Sequence, residues 1–337
     1  MTIPYRTQQR VRRLLTAVAV IAVIVFAALL CFLLWAQRYI IYTNDGGAQL
    51  DFDLPPMKPG VLAVAPEEMD VSIYFNEGEN AINTSTELTQ ILGYYADEAA
   101  LADIATVKSQ IQTLSTGTAV MVDVKDIDGA FFYSSKVGSN RSGAVNTTEM
   151  DDLIRFLDRS GMYTIARLPA LRDYYYGLNN VPYGVHHSSG GYLYQDDDGC
   201  YWLHPGTDGA LSYLTRIITE LKELGFDEVV LYDFQFPDAK EILVEGEKDV
   251  ILTNAANTLM TACATNRFAL SFEKTAYFEI PKGRSRIYLS GLDASQLAEA
   301  AEDSGVEDPT INLVFLTELH DTRFNTYSVL RPLSGAH

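Results

Sequence analysis

Two apolar patterns follow one another along this chain. The first is an unbroken run, Leu14 to Ala36 (LLTAVAVIAVIVFAALLCFLLWA), with no charged residue. The second begins after residue 70, where short apolar runs alternate with stretches of helical period. The runs predict strands at Val71–Phe75, Thr118–Asp123, Tyr163–Arg167, Glu228–Asp233, Arg267–Glu273, Ser285–Leu289, Ile311–Leu316 and Tyr327–Leu330. Helices are predicted over Asp97–Leu114, Thr148–Ser160, Gly209–Leu224, Lys248–Ala264 and Ala294–Asp303. Leu211, Leu214, Ile217, Ile218, Leu221 and Leu224 keep the 3.6 period, with Asp208 as N-cap candidate and Gly225 as the stop.

Short continuous apolar strands alternating with helices are what a parallel sheet covered on both faces requires. The expected fold is therefore α/β, a (β/α)8 TIM-like barrel. The competing doubly wound sheet lacks a glycine-rich phosphate turn after any strand, since Phe75-Asn-Glu-Gly-Glu does not fit one. After Glu273 the spacing tightens. The fifth to sixth and seventh to eighth strand connections are too short for ordinary crossover helices, so the second half is expected to be abbreviated.

The 23 residues from 14 to 36 make a helix of roughly 34 Å, long enough for a ~30 Å hydrocarbon core. Arg6, Arg10, Arg12 and Arg13 precede it and Arg38 follows, which places residues 1–13 in the cytoplasm. Trp35, Tyr39 and Tyr42 suit an interfacial belt. A cleaved signal peptide would have a shorter apolar core and a small-x-small exit, which Leu34-Trp35-Ala36 does not supply. Lipidation at Cys31 is opposed by the bulk of Leu30. The segment reads as an uncleaved, single-pass signal anchor in the cell membrane. Residues 44–69, with four prolines and three glycines, read as a linker, and 70–337 as an extracytoplasmic domain.

Charge sharpens that division. Residues 1–43 hold five arginines and no acid; of totals of 25 basic and 44 acidic residues, 20 and 44 remain beyond them, a formal −24. So acidic a domain offers no basic surface for nucleic acid. Cys200 and Cys263 allow one disulfide or two separate thiols. His186, His187 and His204 lack metal-ligand spacing, and the acidic run Asp196-Asp197-Asp198-Gly199 reads as a turn in preference to a calcium loop. No metal or cofactor is expected.

In a barrel, chemistry stands where strands end. Those ends carry Asp123 and Asp126, Arg167, Asp233, Glu273 and Glu318. Several carboxylates at one mouth supply what two-carboxylate acid–base chemistry needs, because crowding separates their proton affinities. Tyr174, Tyr175, Tyr176, Tyr192, Tyr194, Tyr201 and Trp202 crowd the long third-to-fourth connection and offer stacking faces for sugars. The plainer reading of any one strand-end Asp is a helix cap.

Four segments carry a resemblance: VMVDVKDIDG (120–129), IARLPALRD (165–173), W-x-x-P (202–205) and GFDEVVLYDFQFP (225–237). In this order they resemble glycoside-hydrolase-like TIM barrels grouped as DUF4015, with Asp123, Lys125, Asp126, Arg167, Asp173, Trp202, Pro205, Tyr213, Asp227, Glu228, Asp233, Phe236 and Pro237 at matching positions. The resemblance covers roughly residues 70–240. Two features depart from it: the DYvRFP block is shorter here and lacks its arginine, and no tyrosine- and proline-rich motif follows residue 273. The resemblance implies a polysaccharide or oligosaccharide substrate. The expected roles are Asp233 as nucleophile or base and Glu273 as general acid, with Asp123, Lys125, Asp126, Arg167, Asp173, Tyr201 and Trp202 binding substrate. The alternative is a carbohydrate-binding or envelope-assembly protein that keeps the barrel without catalysis.

Overall fold

Eight parallel strands close into a barrel in the computed structural model, which describes residues 25, 40–42, 48–50, 87–274 and 278–333. The chain forms two compact units, Met1–Asn80 and Ala81–His337. In the first, Ile40–Tyr42 pairs antiparallel with Ala48–Leu50. The second of these strands falls in the stretch expected to be irregular linker; three residues are too few for a strand period to register. The signal anchor expected at 14–36 lies outside the described residues except for Val25, and among the described residues no helix is long and apolar enough to cross a membrane.

The barrel strands are β1 Leu92–Ala96, β2 Ala119–Asp123, β3 Tyr163–Pro169, β4 Glu228–Tyr232, β5 Ala269–Glu273, β6 Ile287–Ser290, β7 Leu313–Leu316 and β8 Ser328–Pro332. Each pairs in parallel with its sequence neighbours, and β8 closes the ring on β1. Every residue of β2, β5 and β7 is buried, as the continuous apolar runs require. Inward positions such as Met121, Ile165, Val230, Val314 and Leu330 fill the interior. Outward positions such as Val120, Val122 and Leu231 meet the helices.

One strand differs from expectation. Val71–Phe75 lies outside the described residues, and the position between β8 and β2 is taken by β1. The five residues LGYYA hold a glycine, and Leu92 is exposed, so the apolar signal is weak. Packing explains the glycine. A Cβ on Gly93 would stand 1.8 Å from the Ala119 carbonyl oxygen of β2, a clash that no side chain tolerates.

The helices sit close to their predicted places. Thr147–Arg159 is capped by the Asn146 side chain, which accepts from the Thr148 and Glu149 amides, and it buries Met150, Leu153, Ile154 and Leu157. Asp208–Glu223 buries Leu214, Ile217, Ile218 and Leu221, and its cap is Thr207 instead of Asp208. The second half is abbreviated: among the described residues no helix connects β5 to β6, and a single 3-10 segment, Thr322–Thr326, connects β7 to β8. Beside the helix-free connection, Phe278 packs on Phe234 and Phe272 at ring separations of 5.4 and 5.5 Å, covering apolar surface that a crossover helix would have covered.

A buried polar network closes the N-terminal end of the barrel. Glu228 accepts from Ser271 Oγ (2.5 Å), Tyr163 OH (2.8 Å), Tyr288 OH (3.0 Å) and Arg286 Nη1 (2.5 Å). Arg286 also donates to the carbonyls of Thr89 (2.9 Å) and Ile311 (3.3 Å), so one side chain joins the entrances of four strands. Cys200 and Cys263 are both free thiols.

Candidate active site

Alternation along the strands decides which polar residues enter the barrel mouth. On β2 the inward positions end at Asp123, on β3 at Arg167, on β5 at Glu273 and on β6 at Ser290. These four form one connected group. Arg167 Nη1 donates to Asp123 Oδ1 at 3.1 Å, and Arg167 Nε donates to Glu273 Oε2 at 2.9 Å. Ser290 Oγ donates to the other oxygen, Glu273 Oε1, at 2.9 Å. The guanidinium lies over the Tyr232 ring, 4.3 Å from its centre. A cavity of about 490 Å³ opens above them, lined by Tyr95, Arg167, Glu273, Ser290, Thr317 and Glu318 among others.

Burial sets the protonation of this group. Asp123 is 8% exposed, and its carboxyl is pushed up to about 6 by desolvation, against the pull of Arg167 and the Glu98 backbone amide. Tyr95 is raised by burial and then by the negative charges of Glu318 and Asp97. Asp233 stands one residue past β4 with φ 51°, the described non-glycine residue in the left-handed region. Asp tolerates that region better than most residues, yet it still carries strain of about 1–3 kcal/mol. Its carboxyl is raised, first by burial and also by the charge of Glu273, while Arg172 and Arg167 pull the other way.

Other sequence candidates stand elsewhere. Lys125 and Asp173 face each other in the interior, 1% and 0% exposed, with Nζ 2.9 Å from Oδ2. Asp173 also accepts from Tyr213 OH (2.9 Å) and from the Tyr176 amide (2.8 Å), capping Tyr174–Asn179. Gly129, with φ +84°, leaves room for that carboxylate; a Cβ there would lie 2.1 Å from Asp173 Oδ1. Thus the DVKD-x-x-G pattern and the following Asp173 make one packed unit beneath the loops. Asp126 closes a turn by accepting from the Ala130 amide at 2.8 Å.

Trp202 is 6% exposed and its indole nitrogen donates to Asp196 Oδ2 at 2.8 Å, so its faces are not open for stacking. Tyr201 is half-buried and stacked on Tyr174, with ring centres 5.2 Å apart. The acidic turn closes on Arg172, paired with Asp196 (2.7 Å) and with Asp198. Among the described residues no group of three or more His, Cys, Asp or Glu side chains is placed to hold a metal ion. Tyr95, Tyr232 and Ser290 escaped the sequence reading. Tyr95 lies on the unrecognised β1, and Ser290 ends β6 one residue past the predicted boundary.

Comparison with known proteins completes the picture. A hypothetical protein from Ruminiclostridium thermocellum is 21% identical, with a TM-score of 0.46 over 54% of this chain and 97% of its own. The glycoside hydrolase domain of PelA from Pseudomonas aeruginosa is 11% identical, with a TM-score of 0.42 over 74% and 97%. The α-galactosidase from Lactobacillus brevis is 12% identical, with a TM-score of 0.46 over 73% and 38%. No curated protein matches the sequence. A family model does: DUF4015, described as "Putative glycosyl hydrolase domain", matches residues 95–271, from β1 through β5. The chain belongs to the DUF4015 glycosyl hydrolase domain family.

Proposed function

We propose that the barrel hydrolyses glycosidic bonds of a polysaccharide or oligosaccharide, with Asp233 and Glu273 as its acid–base pair. The observation that carries this is the Arg167 bridge, which ties Glu273, on the wall of the mouth cavity, to the buried Asp123. Both oxygens of Glu273 accept hydrogen bonds, from Arg167 and Ser290, so it is oriented as a carboxylate. Asp233, raised by burial and by the charge of Glu273, is the group inclined to hold a proton. This proposal exchanges the roles expected from sequence. Asp233 gives its proton to the glycosidic oxygen as that bond breaks, Glu273 meets the positive charge that develops at the anomeric carbon, and water adds to that carbon while its surplus proton restores Asp233.

In this reading Asp123 and Arg167 position Glu273 and the sugar, while Tyr95 and Glu318 line the cavity. Lys125, Asp126 and Asp173 support the loops that carry the site. The enzyme is anchored in the cell membrane through residues 14–36, with the barrel outside, where envelope or environmental glycans are its substrates. The test is a hydrolysis and binding screen of the full chain in detergent across a panel of glycans. Turnover lost in Asp233→Asn, with glycan binding kept, supports hydrolysis. Binding without wild-type turnover on any glycan favours a carbohydrate-binding barrel instead.

A further inference from the structure

The end of β3 carries a second arginine, and its surroundings are built around it. Arg172 Nε donates to Asp196 Oδ2 at 2.7 Å, another arm meets Asp198, and the guanidinium lies 5.7 Å from the Trp202 ring centre. Asp196 is the hub of the opposing turn. Its Oδ2 also accepts from the Trp202 indole, and its Oδ1 accepts from the Asp198 and Cys200 amides at 3.1 and 2.8 Å. Four donors on one carboxylate, the arginine arm, the indole and two amides of the same turn, leave the guanidinium little freedom.

This clamp is tied directly to the backbone of Asp233. The Ala170 amide donates to the Tyr232 carbonyl at 2.7 Å, and the Leu171 amide to the Asp233 carbonyl at 3.4 Å. Arg172 is the next residue. Among the described residues no hydrogen-bond donor reaches the Asp233 carboxyl, so its protonation is governed by burial and by nearby charge. The charged groups acting on it are Arg172, Glu273, Arg167 and Asp196, and Arg172 is the stronger of the two cations. Tyr232, beside it on β4, is neutral, its phenol raised by burial and then by Asp123.

The geometry points to Arg172 as a positioning residue for the acid–base pair: the Asp196–Asp198 turn holds its guanidinium on the segment after β3 that is hydrogen-bonded to the Asp233 backbone, and that fixed positive charge sets the pH at which Asp233 releases its proton. This rests on the reading of Asp233 as the acid. Without Arg172, burial, Glu273 and Asp196 act on Asp233 against Arg167 alone, and it keeps its proton to higher pH. A lysine restores the charge but cannot serve Asp196 and Asp198 together, so it restores the effect only in part.

The test is a pH titration of Asp233 by ¹³C-carboxyl NMR of aspartate-labelled full chain in detergent, assigned by difference with Asp233→Asn. Arg172→Gln is expected to raise the midpoint by about one pH unit, the lower end of what a nearby opposite charge does. Arg172→Lys raises it by less, and remains informative if the glutamine variant does not fold. The limb of the pH–rate profile assigned to Asp233 moves by the same amount in each variant. Midpoints unchanged in the folded variants would overturn the inference, even with turnover intact. Midpoints that move in a protein without turnover on any glycan would leave Arg172 in this role and overturn the hydrolase reading instead.

Discussion

At the scale of single residues, the site depends on burial separating chemically similar groups. Asp123 is the clearest case, because its carboxyl sits at about 6 in the fold against an ordinary value of 3.8. Its contribution to stability is fully present below about pH 4 and is lost as pH rises through about 6, since the folded state then holds a proton that the unfolded chain releases more readily. Two units correspond to about 3 kcal/mol. Asp123→Asn is expected to flatten that part of the stability–pH curve, measured by urea unfolding between pH 4 and 7. Glu273→Gln is expected to lower kcat by about 10²–10⁴-fold, the range for a positioned acid–base group, with the fold retained by circular dichroism. The strand-end rule found Asp123, Arg167, Asp233 and Glu273 in the sequence. Lys125 and Asp173 entered through the family resemblance, where a motif position does not tell an ion pair buried under a loop from a residue that binds substrate.

At the scale of elements, what could be read from sequence follows from how continuous each apolar run is. β2, β3, β4 and β5 were visible because both faces are buried, which leaves few polar interruptions. β1 was not visible. Its glycine and exposed Leu92 exist because β2 approaches so closely, a relation between strands that a linear reading does not contain. Gly93→Ala is therefore expected to separate β1 from β2 and to cost more than about 2 kcal/mol, seen as a lowered midpoint in thermal unfolding. The N-terminal network makes a parallel case. Arg286→Gln leaves Glu228 without its cation inside the barrel, and a loss of about 3–5 kcal/mol is expected by denaturant unfolding. In sequence Glu228 looked like part of a family motif; in the fold it is a closure point reached by residues from β3, β5 and β6.

At the scale of the whole molecule, a barrel with full crossovers in its first half and short connections in its second concentrates its long loops around β2, β3 and β4. The family match ends at residue 271, near the point where the crossovers shorten. Those loops hold Arg172, the acidic turn and the tyrosines, so the side of the mouth with the most loop material is also the side with Asp233. A small part of the −24 charge beyond residue 43 is the carboxylate group around Arg167. The central claim is hydrolysis at that mouth. The most direct measurement is release of new reducing ends from a panel of polysaccharides by the wild-type chain and by Asp233→Asn. The account predicts release by the wild type on at least one glycan and a loss of at least about 10²-fold in the variant. Equal release by both proteins, or none by the wild type on any glycan, would contradict it.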